Sequence, residues 1–225
     1  MEWLSGNGYQ TITLKKVKEY LDQNTPFPEK TIVLTFDDGY ERLYVNAFPI
    51  LIEMGFSATV FLVSGRCGKT NNWDEKAYVS RNSSLLGWDQ IREMDLQGIE
   101  FGSHSVTHPR LDILDLAGIE KEVGESKIQI EEELGHTVSA FAYPFGWYDE
   151  RVKRIVKQHY EVACSTQIGL VKGTSDPFEL ERVETYYLQK KPFFKLIQSK
   201  YFSGYLAVRS VLHQARAKLT HPAWR

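Results

Sequence analysis

Short runs of β-branched and apolar residues alternate with helical stretches along most of this chain, and that alternation restricts its fold more than any other feature. Thr31-Ile32-Val33-Leu34-Thr35-Phe36 and Ala58-Thr59-Val60-Phe61-Leu62-Val63 are continuous runs of the kind buried on both faces of a sheet. Runs 99–102, 138–142 and 160–164 read as further strands. Between them, helical spacing covers 13–21, 45–54, 88–96, 113–134 and 150–158, with Gly55 and Gly98 as stops. The polar, aperiodic stretch 67–86 is expected to be a long loop over the top of the domain, a position often given to function. The pattern predicts an α/β architecture around a parallel sheet. Periodicity alone leaves open whether that sheet closes into a barrel.

A chain of 225 residues can bury one sizeable core and allows one or two domains. Its net charge of −2, with no zinc-finger spacing and no RNA-binding aromatic motif, points away from nucleic acid. Cys67 and Cys164 stand far apart and are expected to be free thiols. No apolar run approaches the ~20 residues that span a bilayer. Residues 1–8 lack the basic start and apolar stretch of a signal peptide, so the chain as it stands reads as cytoplasmic. Met1-Glu2-Trp3-Leu4 already resembles a helix interior, which suggests a longer natural start. From Lys190 onward there are eight basic residues and no Asp or Glu. The expected division is therefore a catalytic domain over 1–189 and a basic, amphipathic helical tail over 190–225. That tail is either a final barrel helix or a peripheral contact with anionic membrane.

Three clusters carry the chemistry, each directly after an expected strand. In Thr35-Phe36-Asp37-Asp38-Gly39, adjacent carboxylates diverge, so one can hold a cation while the other faces a substrate; an Asp-rich turn is the plainer alternative. In His104-Ser105-Val106-Thr107-His108-Pro109, two histidines four apart suit a metal such as zinc. In Ala142-Tyr143-Pro144-Phe145-Gly146-Trp147, Pro144 and Gly146 shape a turn whose aromatics either stack on a sugar or pack on the core. Ligands of parallel α/β folds and barrels bind at the C-terminal ends of strands, where all three clusters fall. Asp38, His104 and His108 would offer one oxygen and two nitrogens to an ion, leaving Asp37 free to act as a base.

Thr35 to Gly39 and His104 to Pro109 resemble the first two motifs of the polysaccharide deacetylase family, also called the NodB-homology or carbohydrate esterase 4 family. The resemblance runs from about Thr31 to Ala163. It implies a distorted (β/α) barrel, and either the N-terminal part of that barrel is missing here or the general acid comes from elsewhere. It also implies Asp37 as catalytic base, a metal triad of Asp38, His104 and His108 holding a divalent ion, most commonly zinc, and an oxyanion site at the Phe145 backbone N–H. In the third motif, Ala142 stands where the family usually has the arginine that braces the base. This version resembles a subgroup associated with exopolysaccharide deacetylation. Arg182 is the candidate replacement brace, with a plain surface arginine as the alternative. The family's general-acid histidine has no clear counterpart among His136, His159, His213 and His221, and the subgroup's extra N-terminal strand with a histidine would precede this chain. The expected substrate is an acetylated glycan of the N-acetylglucosamine type, bound in a groove formed by Tyr143, Pro144, Phe145, Gly146, Trp147 and the 67–86 loop. Three other possibilities stand beside it: an O-acetyl or N-formyl deacylase on another glycan or lipid-linked sugar, a glycan-binding module with an impaired site, and a structural protein.

Overall fold

The computed structural model describes residues 1–73 and 82–220, the side chains of 214–220 excepted. Its strands are β1 (Gln10–Thr11), β2 (Thr31–Ile32), β3 (Thr35–Phe36), β4 (Thr59–Leu62), β5 (Glu100–Ser103), β6 (Ala140–Ala142), β7 (Val162–Ile168) and β8 (Leu180–Arg182). β3 to β8 form a six-stranded parallel sheet in chain order, and β1 and β2 pair separately. An order without a reversal curls the sheet one way, as in a barrel, in contrast to a doubly wound fold. The result is a curled parallel half-barrel of the distorted (β/α) kind.

Strand alternation separates two cores. Val60, Leu62, Phe101, Phe141 and Ala163 point outward, against Leu51, Ile91, Ile130, Val152 and Val156. The last five come from the covering helices α4 (Phe48–Glu53), α5 (Trp88–Leu96), α7 (Ser126–Leu134) and α8 (Glu150–His159), which follow α1 (Glu2–Gly6), α2 (Leu14–Asp22) and α3 (Glu41–Asn46) in the chain. Phe61, Ala140, Ala142, Val162, Cys164 and Leu180 form the inner face, and Leu14 and Val17 of α2 pack against them. Thr13 caps α2, and Glu100 at the start of β5 accepts from the N–H groups of Leu14 and Lys15 at 2.9 and 3.0 Å. A carboxylate at a helix N-terminus is favourable. Helix α2 is thereby anchored at the end of the half-barrel opposite the strand C-termini.

The structure departs from expectation in several places. Run 31–36 is two short strands, β2 and β3, and both are only half-buried. β3 is the first strand of the sheet and has a partner on one side alone, so it is not covered like a central strand. Stretch 45–54 breaks at Ala47, where Pro49 opens a new helix. Stretch 113–134 is interrupted between α6 (Leu116–Glu120) and α7 by a π-helical turn, Lys121–Glu125. Cys67 and Cys164, by contrast, are free as expected. In the tail, α9 (Lys191–Lys195) brings Phe194 edge-on to Trp3 with ring centroids 5.2 Å apart. α10 (Phe202–Thr220) packs Phe202 and Leu206 against Ile168 and Leu188, while Val208, Val211 and Leu212 are exposed. Among the described residues, no helix is long and apolar enough to cross a membrane.

Candidate active site

The clusters meet at the C-terminal ends of β3, β5, β6 and β8. Their backbones are wound tightly. Four of the seven non-glycine residues with positive φ among the described residues are Asp38, Ser105, His108 and Phe145. Such conformations cost of order 1–3 kcal/mol each and persist only where the surroundings enforce them. At Gly146, φ is +71°, and a Cβ would lie 2.0 Å from Thr166 Oγ1, so only glycine fits the turn.

Asp38 Oδ1 lies 3.7 Å from His104 Nε2 and 3.4 Å from His108 Nε2, and one ligand atom from each of the three residues falls within 4.8 Å of the others. Three ligands at ~2.0–2.2 Å from a tetrahedral ion sit about 3.4 Å apart, so the cluster fits a divalent metal with little adjustment. His104 Nδ1 is 2.7 Å from the Ala142 carbonyl. A carbonyl only accepts, so Nδ1 carries the proton and Nε2 keeps its lone pair for the cluster. His108 is nearly sealed from solvent. Burial, with His104 beside it, pushes its pKa down to about 2, so the ring is neutral and able to ligate. The His108 backbone N–H donates to Ser105 Oγ at 3.0 Å, while the ring Nδ1 has no hydrogen-bond partner. Ring packing holds the imidazole instead: Trp73 stacks on it at 4.9 Å and Phe145 meets it edge-on at 4.4 Å.

Asp37 faces the same space. Arg182 Nη1 and Nη2 donate to its two oxygens at 2.6 and 2.9 Å, a two-pronged clamp. Arg182 Nε also donates to the Ser165 carbonyl at 2.9 Å, and Nη1 lies 3.3 Å from Thr35 Oγ1. The guanidinium thus ties the last strand of the sheet to the first across the open side of the half-barrel. It is not a surface arginine. Burial raises the Asp37 carboxyl, but the charge of Arg182 and its two hydrogen bonds outweigh it and hold the carboxyl below the usual range.

The expected groove is only partly assembled. Tyr143 does not line it. Alternation along β6 continues past Ala142 and turns Tyr143 to the outer core, where it is buried, stacks on Tyr148 at 4.1 Å and donates to the Phe178 carbonyl at 3.0 Å. Pro144 is also buried. Phe145 is 41% exposed beside His108. Trp147 is half-buried under the Arg110 guanidinium, 4.3 Å from its ring centroid. Residues 74–81 of the expected 67–86 loop lie outside the described residues. Its start contributes Trp73 and the buried Asn71, whose Nδ2 lies 3.2 Å from the Tyr40 hydroxyl. Tyr40 was not singled out by sequence. Burial and the charge of Asp38, to which it hydrogen-bonds, raise its pKa far above the usual phenol value, so it stays protonated. Its position directly after Gly39 was the available signal. His136 pairs with Asp95 and His159 with Glu120. His159 ends α8, and helices that follow strands in a barrel end on the face opposite the site. His221 lies outside the described residues.

A polysaccharide deacetylase family model matches residues 24–162, a span that holds both metal-type motifs and the Ala142–Trp147 turn. The chain is 30% identical over 184 residues to YxkH of Bacillus subtilis, covering 81% of this chain and 61% of that protein. It is 27% identical over 195 residues to the poly-β-1,6-N-acetyl-D-glucosamine N-deacetylase of Staphylococcus epidermidis, covering 81% of this chain and 64% of that one. The chain therefore spans about three fifths of the curated relatives it matches. Among solved structures, Streptococcus pyogenes deacetylase PplD in complex with acetate superposes with a TM-score of 0.70 at 26% identity, over 80% of this chain and 75% of that one. Fold, motif geometry and these likenesses agree: the chain belongs to the polysaccharide deacetylase family.

Proposed function

We propose that the chain hydrolyses the N-acetyl groups of an N-acetylglucosamine-type polysaccharide, with β-1,6-linked poly-N-acetylglucosamine as the favoured polymer. The observation that carries this is the convergence of Asp38, His104 and His108 beside a second carboxylate, Asp37, clamped by Arg182. The polymer follows from the staphylococcal relative, whose named substrate it is. Asp38, His104 and His108 would hold a divalent ion, with zinc favoured by the two-nitrogen, one-oxygen donor set. Such an ion supplies Lewis acidity toward the acetyl carbonyl and lowers the pKa of water.

The chain's own residues do the rest. Asp37, kept ionised by Arg182, takes a proton from the attacking water. The Phe145 backbone N–H is offered to the developing oxyanion. Phe145, Trp73 and Trp147 give apolar faces to the sugar rings. The amide C–N bond breaks, and the products are acetate and a free amino sugar. His136 precedes β6 and His159 ends α8, at the end of the sheet opposite the strand C-termini, so neither is proposed as donor to the leaving amine. Incubating the metal-loaded protein with N-acetylated β-1,6-glucosamine oligomers should release acetate and primary amine in equal amounts. Release from O-acetylated xylan but not from these oligomers would replace the proposal with an esterase.

The tail is proposed to touch an anionic membrane surface. The exposed Tyr201, Val208, Val211 and Leu212, set among the basic residues of a segment without Asp or Glu, suit an interfacial helix. Vesicles rich in phosphatidylglycerol should co-sediment the protein at low salt and release it at high salt. No sedimentation at low salt, or equal sedimentation after removal of 199–225, rules the contact out.

A further inference from the structure

The loop carrying both histidines is held from behind by a feature outside the family motifs. Glu122 Oε2 accepts from the backbone N–H groups of Val106 and Thr107, each at 2.9 Å, and its Oε1 accepts from Thr107 Oγ1 at 2.7 Å. One side chain thus satisfies three donors in the span between His104 and His108. Such a carboxylate lets the loop hold the positive φ values of Ser105 and His108 without leaving its amides unpaired.

Glu122 owes its position to the π-helical turn Lys121–Glu125, which interrupts α6 and α7. Single π turns inside helices recur at functional sites. The same turn leaves the Val123 carbonyl open to side chains: it accepts from Ser126 Oγ at 2.9 Å and from the Tyr160 hydroxyl at 3.1 Å. Ser126 Oγ in turn lies 2.6 Å from Ser103 Oγ, which accepts from the Ser105 N–H at 3.2 Å. The turn therefore grips the histidine loop at two points, through Glu122 in its middle and through Ser103 and Ser105 at its start. Close packing fixes the turn itself. A Cβ on Gly124 would lie 3.1 Å from His159 Cε1 and 3.3 Å from Glu120 Oε1, two residues that pair with each other.

We propose that the π turn is a preorganising brace for the metal centre, with Glu122 as its positioning residue. The idea rests on Asp38, His104 and His108 being the metal ligands. Partners that orient ligands without touching the ion typically alter metal affinity 10–100-fold when lost.

The test is zinc affinity, measured against a chromophoric chelator, for the wild type, Glu122→Gln and Glu122→Leu. Gln keeps an acceptor for the two amides and a group that can meet the Thr107 hydroxyl, so its affinity should stay within about threefold of wild type. Leu fills similar space but accepts nothing, and should weaken zinc binding by about 10-fold or more. The d–d absorption of the cobalt-loaded Leu variant should change as well. Wild-type zinc affinity in a folded Glu122→Leu protein overturns the proposal. Should that variant fail to fold, amide exchange of the metal-free wild type decides: Val106 and Thr107 should already be protected, and rapid exchange of both rules the brace out. If the wild type binds no zinc at all, it is the underlying metal assignment that fails.

Discussion

Asp37→Asn is expected to lower deacetylation by about 10²–10⁴-fold, the usual contribution of a positioned general base, with the metal content unchanged. The amide has nearly the shape of the carboxylate but cannot take up the proton of the attacking water. Asp37 also lies outside the triad whose ligand atoms face one another. The substitution sets an amide N–H₂ against a donor of Arg182, so some local shift is expected, and metal analysis alongside kinetics separates that from loss of the site. Turnover at the wild-type rate with full metal content would assign the base to another group.

Arg182→Met should follow closely, with kcat/KM reduced roughly 100-fold, since a small misplacement of a reacting group carries about that penalty. It should also leave a mark in the pH profile. In the wild type the Arg182 charge overcomes the effect of burial and keeps Asp37 low. Without that charge, the effect of burial is no longer outweighed to the same extent and the carboxyl pKa rises. The ionised base is then lost at a higher pH as the solution is acidified, so the acid limb of kcat/KM moves upward. Arg182→Lys keeps a charge but not the two-pronged geometry, and should fall between the two. An unchanged acid limb in Arg182→Met would remove Arg182 from any role in tuning the base.

The sequence carried the parts of this site that are local. Asp37, Asp38, His104 and His108 sit in short motifs directly after strands, where chain order alone puts them on one end of a parallel sheet. Arg182 was legible only as a candidate, because its partner is 145 residues away and the pairing depends on how far the sheet curls. Tyr143 misled because the motif drew attention to residue type, whereas strand alternation past Ala142 decided its direction. The π turn left no periodic signature. One extra residue in a helical stretch shifts the pattern without breaking it, so 113–134 read as one helical stretch and Glu122 was not singled out. Trp73 and Asn71 lay within a loop whose position was expected but whose contacts depend on tertiary packing.

The metal triad is the claim on which the rest depends, and titrating metal-free protein with zinc tests it most directly. The wild type should bind one ion per chain, as should Asp37→Asn. Asp38→Ala, His104→Ala and His108→Ala should each lose more than about 100-fold in affinity, since every one removes a direct ligand. A wild type that binds no zinc or any other divalent ion, or three ligand variants that bind as tightly as the wild type, would contradict it.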